Sequence, residues 1–171
     1  QKSILVTGTS TGIGRNLTET LAAAGHHVYA GVRNDEDFAA LDALDNVTAV
    51  RMDVTRPDDI AAVRALIEAR GTGLHGLVNN AGIAQRRGPM LEVAEAVFDR
   101  IYAVNVKSIY WGAIHAVPLL RGQPGGVIIN IGLVTTIVIG VWGHQGTGVV
   151  TATIAIIIGV ETVISKFATL M

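Results

Sequence analysis

The chain has 171 residues, half of them apolar, which is enough to bury the core of one domain, so a single domain over 1–171 is expected. A formal net charge of −1 gives no reason to expect nucleic acid or an anionic membrane surface as a partner, and the absence of cysteine excludes disulfides and thiolate metal sites. No basic leader with an apolar core opens the sequence, so the expected setting is cytoplasmic.

In chain order, "SILVTG" is an apolar run that ends in glycine and predicts a strand. "TGIGRNLTETLAAAG" follows with Ile13, Leu17 and Leu21 at helical spacing until Gly25 stops it. "HVYAGV" predicts a second strand, Asp35 to about Leu44 a polar helix, and the β-branched "VTAVRMDV" a third strand. The next helix has Thr55 as its expected cap, Pro57 in its first turn, Ile60, Val63 and Ile67 on one face, and Gly71 at its end. "LHGLVNNAG" reads as a fourth strand. A long helical pattern from about Met90 to Pro118 then keeps Val97, Ile101, Val104 and Ser108 in register, before "GGVIINI" reads as a fifth strand. Strands alternating with helices predict an α/β fold: a doubly wound, Rossmann-like parallel sheet of at least five strands.

The chemistry concentrates in "TGTSTGIG", on the turn between the first strand and its helix. Gly8, Gly12 and Gly14 there permit positive φ and let backbone amides approach a pyrophosphate, which also meets the positive end of the helix dipole. The spacing is G-x-x-x-G-x-G, so the usual dinucleotide fingerprint is matched in mechanism and not in letter.

"TGTSTGIG", Asp53 with Val54, "NNAG" at Asn79, Asn80, Ala81 and Gly82, and "VNV" around Asn105 together resemble the short-chain dehydrogenase/reductase family over residues 1 to about 131. The resemblance implies a seven-stranded parallel sheet, a nicotinamide dinucleotide as hydride carrier, and small alcohol or carbonyl substrates. It implies cofactor contacts from Gly8, Ser10, Thr11, Gly12, Ile13 and Gly14, with Asp53 and Val54 at the adenine and Asn79 to Gly82 under the ribose. Asn105 would support the active-site water relay; read from the residues alone, it is a helix amide satisfied by a nearby carbonyl. The resemblance also implies oligomerisation through a C-terminal helix.

Cofactor choice follows from charge. An acid after the second strand would bond a ribose 2′-hydroxyl and repel a 2′-phosphate, but Arg33 stands there, and its planar fork suits phosphate. NADP is therefore expected, with NAD left possible because Asp35 and Asp37 follow and could pair with Arg33 or hold the hydroxyls themselves.

The family pattern fails further on. It asks for a serine after the fifth strand, a tyrosine about thirteen residues later as general acid/base, and a lysine one helical turn beyond to lower the tyrosine's pKa. Those positions fall on Leu133 or its neighbours, on Gly146 and on Val150, where no side chain transfers a proton, and no Asp, Glu, Lys or Arg occurs between Arg121 and Glu161. His144 is the one titratable side chain in that interval and reads as a loop histidine. Lys107, Ser108 and Tyr110 read as helix surface or packing residues, Asp58 and Asp59 as helix-start charge, and no metal site is expected. The resemblance implies further strands and a substrate loop beyond Met171. Three readings stay open: an oxidoreductase of this family, a dinucleotide-binding module without turnover, and a reduced or designed Rossmann scaffold.

Overall fold

The structure is a computed structural model that describes residues 1–84, 93–132 and the backbone of Val150–Ala155. The elements alternate as the sequence predicts. They are β1 (Ser3–Thr7), α1 (Gly12–Ala23), β2 (His27–Val32), α2 (Asp35–Asp42), β3 (Val47–Arg51), α3 (Pro57–Arg70) and β4 (Gly76–Asn79), then α4 (Glu95–Tyr102), α5 (Ser108–Arg121), β5 (Val127–Gly132) and β6 (Val150–Ala155). All strands run parallel in the order β3-β2-β1-β4-β5-β6.

All five residues of β1 are buried, because both faces of a parallel sheet are covered by crossover helices. Successive side chains alternate between two cores: Ile4, Val6, Val28 and Ala30 pack with Leu17 and Leu21 of α1, while Leu5 and Tyr29 pack with Ile60, Val63 and Ile67 of α3. The apolar positions at helical spacing in α3 are thus the ones it buries, and Gly71 closes that helix in the left-handed conformation at φ 70°.

Three sequence expectations are corrected. The cap of α3 is Arg56 and not Thr55, whose hydroxyl is drawn instead to the Asp53 carboxylate at 2.6 Å. The polar helix α2 ends at Asp42, two residues before Leu44. The long helix does not stop at Pro118, which lies inside α5, and it is not one regular helix: Ala103–Lys107 forms a π-helical turn joining α4 to α5. At Val150–Ala155 the chain forms a further strand, paired with β5 from Val127↔Val150 to Gly132↔Ala155, and the C-terminal helix implied by the resemblance lies outside the described residues. Four of those six residues are β-branched, and such side chains favour extended backbone. Leu133, His144, Gly146 and residues 156–171 lie outside the described residues. No described helix is long and apolar enough to cross a membrane.

Candidate cofactor site

Strand order reverses between β1 and β4: the chain leaves β1 toward β2 on one side and returns to β4 on the other. The crossovers part at that point, and the carboxyl ends of the strands open a crevice. An open cleft of about 910 Å³ lies there.

Backbone contacts shape its floor. Gly8 has φ 68°, and a Cβ on it would come within 2.7 Å of the Ala81 Cα. A Cβ on Gly14 would meet the Gly8 carbonyl at 2.3 Å and Asn80 Nδ2 at 2.4 Å, so α1 can sit this close only because residue 14 has no side chain. Gly12, at φ 61°, faces open space. Asn80 Nδ2 donates to the carbonyls of Thr7 and Gly8, each at 2.9 Å, and Thr7 Oγ1 accepts from the backbone N–H groups of Asn80 and Ala81. The turn after β1 is therefore fastened to the turn after β4. Beneath it, Asn79 Nδ2 donates to Asn130 Oδ1 at 2.8 Å, a buried amide pair joining β4 and β5.

Of the residues expected at the cofactor, Gly8, Ser10, Thr11, Ile13, Arg33, Asp53, Val54, Asn80, Ala81 and Gly82 line this cleft. Gly12 and Gly14 set the turn without lining it, and Asn79 is buried below. Asn105 does not line the cleft either. Its Oδ1 accepts from the Ile83 backbone N–H and its Nδ2 donates to the Ile83 carbonyl, both at 2.9 Å, so the carboxamide grips the loop backbone following Gly82. This is the amide-to-backbone arrangement the residues alone suggested, and it occurs within the π-helical turn. Ser108 is buried and donates to the Val104 carbonyl at 2.6 Å, whereas Lys107 and Tyr110 are exposed.

Sequence reasoning missed Gly31, Val32, Met52, Ile83 and Val104 among the lining residues. Gly31 carried a signal: glycine inside a buried strand marks a close approach, and here a Cβ would lie 3.2 Å from the Val6 carbonyl. The Gly31 carbonyl accepts from both the backbone N–H and the hydroxyl of Thr9, which ties β2 to the glycine turn.

Charges at the rim are sorted. Burial pushes the Asp53 carboxyl up, but hydrogen bonds from Thr55 and the charges of Arg33 and Arg56 outweigh it, so the group stays below the ordinary 3.8. Hydrogen bonds from Ser10 and Asn34 hold the Asp37 carboxyl below its usual value. Asp35 pairs with Arg51 and not with Arg33. The Arg33 side chain makes no ion pair or hydrogen bond among the described residues and lines the cleft.

The family model described as short chain dehydrogenase matches residues 2–144. A 4-formylbenzenesulfonate dehydrogenase of Comamonas testosteroni is 36% identical over 136 residues, covering 77% of this chain and 54% of that protein. An NADPH-dependent pterin aldehyde reductase of Arabidopsis thaliana is 29% identical over 87% of this chain and 60% of its own length. Among solved structures, a short-chain dehydrogenase from Streptomyces avermitilis superposes with TM-score 0.71 at 33% identity, over 77% of this chain and 49% of that one. The closed form of serine dehydrogenase complexed with NADP+ gives TM-score 0.71 at 28% identity, over 77% and 54%. The chain belongs to the short-chain dehydrogenase family, oxidoreductases that use NAD(P), and it spans about half the length of the curated relatives it matches.

Proposed function

We propose that this cleft binds NADP(H) in preference to NAD(H), and that the protein serves hydride transfer between the nicotinamide and a small alcohol or carbonyl compound. The observation that carries the cofactor reading is Arg33: it lines the cleft one residue past β2, and Asp35 and Asp37, close by in sequence, are engaged elsewhere. A guanidinium that makes no ion pair or hydrogen bond among the described residues offers a planar donor fork to a 2′-phosphate. The NADPH-dependent relative and the NADP+ complex of serine dehydrogenase support the same choice.

The turn residues fit a dinucleotide. Residues 8–14 carry backbone N–H groups around the start of α1, where the helix dipole favours an anion, and Gly12 leaves open space above them. Asp53 and Val54 stand at the adenosine side and Asn79 to Gly82 at the ribose side of this reading. Asn105 acts by fixing Ile83 at the cleft wall. A bound nicotinamide supplies or accepts the hydride; this chain's own residues bind and orient it. The positions where the family's serine, tyrosine and lysine are expected hold Leu133, Gly146 and Val150, so these 171 residues hold the cofactor with weak turnover. The reading includes a cytoplasmic setting and a homo-oligomer. For the latter, Phe98, Tyr102, Tyr110 and Ile114 expose apolar surface on α4 and α5, a surface of the kind a second copy covers.

Calorimetric titration with NADPH and NADH tests it. NADPH should bind more tightly, and Arg33→Ala should remove the difference while leaving NADH affinity nearly unchanged. Equal or tighter NADH binding by the parent chain would overturn the role of Arg33.

A further inference from the structure

Arg51, the last residue of β3, was not singled out by its sequence. The register pairs it with Val32, and the Met52 N–H donates to the Val32 carbonyl at 2.9 Å, which puts Arg51 beside the corner where β2 turns into α2. Its guanidinium makes three attachments there. Nη1 donates to the Arg33 carbonyl at 2.9 Å, Nη2 pairs with Asp35, and the carbon centre of the group lies 4.9 Å from the centroid of the Phe38 ring. One planar fork thus grips the main chain of Arg33, the first carboxylate after it and an aromatic ring of α2.

We propose that Arg51 is the positioning residue for cofactor choice: it withholds Asp35 from Arg33 and pins the Arg33 backbone, leaving the Arg33 guanidinium for the 2′-phosphate of NADP(H). The inference rests on the cofactor reading above. Asp35 is two residues from Arg33, and once released it competes with the phosphate for the same guanidinium and adds a negative charge beside the 2′ position. The pair is exposed, with 41% of the Arg51 and 98% of the Asp35 side chain accessible, so Coulomb attraction alone is worth little. The hydrogen bond to the Arg33 carbonyl and the stack on Phe38 are what hold the guanidinium in register with Asp35. Lysine cannot reproduce this, because a point charge does not fork between a carbonyl and a carboxylate.

The test compares NADP+ and NAD+ affinities by calorimetry for the parent chain, Arg33→Ala, Arg51→Met, Arg51→Lys and the double variant Arg51→Met with Asp35→Asn, with thermal unfolding recorded for each. Arg51→Met should cut the NADP+/NAD+ preference about fivefold, the scale of an exposed pair, and Arg51→Lys should cut it less. Adding Asp35→Asn should restore most of the preference, because the competing carboxylate is then gone. A purely structural role for Arg51 would weaken both cofactors equally and give no rescue, and that result overturns the proposal. If Arg51→Met does not fold, an unchanged preference in Arg51→Lys overturns it. A parent chain with no preference for the 2′-phosphate would overturn the cofactor reading and this inference together; a lost preference in Arg33→Ala with an intact one in Arg51→Met overturns this inference alone.

Discussion

Replacing Gly14 by alanine tests how the glycine turn is built. The added Cβ would lie 2.3 Å from the Gly8 carbonyl oxygen and 2.4 Å from Asn80 Nδ2, two atoms already joined by a 2.9 Å hydrogen bond. To reach ordinary contact, either α1 backs away from the turn or the Asn80 clamp opens. Overpacking of this kind costs about 1–3 kcal/mol, the lost hydrogen bond about 1 kcal/mol, and the better helix propensity of alanine returns about 1 kcal/mol. The net is roughly 1–3 kcal/mol, which for a chain of this length lowers the thermal midpoint by about 2–4 °C per kcal/mol. Gly12 is the control. Its Cβ would enter open space, so Gly12→Ala carries only the left-handed backbone cost of about 1–2 kcal/mol. Asparagine tolerates that conformation better, so Gly12→Asn should recover stability relative to Gly12→Ala, whereas Gly14→Asn should be worse than Gly14→Ala. Thermal unfolding followed by circular dichroism reads all four. A Gly14→Ala protein melting with the parent, or rescue by asparagine at 14, would refute the close-approach account.

Three further outcomes follow from the geometry. Asn105→Ala should strand the N–H and carbonyl of Ile83, costing about 1–3 kcal/mol per unsatisfied group; amide exchange at Ile83 should accelerate, and unchanged protection there would contradict the clamp. His75 Nδ1 accepts from the Ser3 N–H at 3.1 Å, and burial, then the charges of Lys2, the amino terminus and His26, hold its pKa below the ordinary 6.5. The fold therefore favours the neutral ring: its contribution is intact above pH 6.5 and is lost as pH falls from there toward the lowered folded value. Thermal midpoints measured across that window should drop for the parent and drop less for His75→Gln; parallel curves would refute the assignment. NADPH oxidation by this chain against a panel of ketones and aldehydes should run about 10²–10⁴-fold below a relative that carries the family's serine, tyrosine and lysine, because Leu133, Gly146 and Val150 stand at those positions. A comparable rate would mean that the reacting centre lies elsewhere, with His144→Ala the variant to examine first.

What the sequence made legible was local. Strand, turn and helix followed from apolar spacing and from glycines at the turns, and the family motifs together with the charge argument for Arg33 named residues that line one cleft: Gly8, Arg33, Asp53 and Asn80. What escaped depended on register or on competition between partners. Asp35 stands nearest to Arg33 along the chain, yet β2–β3 pairing brings Arg51 to it first. Thr55 has the chemistry of a helix cap, yet the Asp53 carboxylate two residues back captures it. The π-helical turn at Ala103–Lys107 leaves the apolar spacing on either side intact, so no periodicity in the sequence marks it. Residues 150–155 are uncharged and apolar enough to read as helix or strand, and their β-branching decided for the strand.

The central claim is that the glycine turn and Arg33 hold a 2′-phosphorylated dinucleotide, and a crystal structure of the protein grown with NADP+ tests it most directly. The account predicts difference density for the pyrophosphate against the backbone amides of residues 10–14 and for the 2′-phosphate within hydrogen-bond distance of the Arg33 guanidinium. Density with the 2′-phosphate turned away from Arg33, or an empty cleft at saturating cofactor, would contradict it.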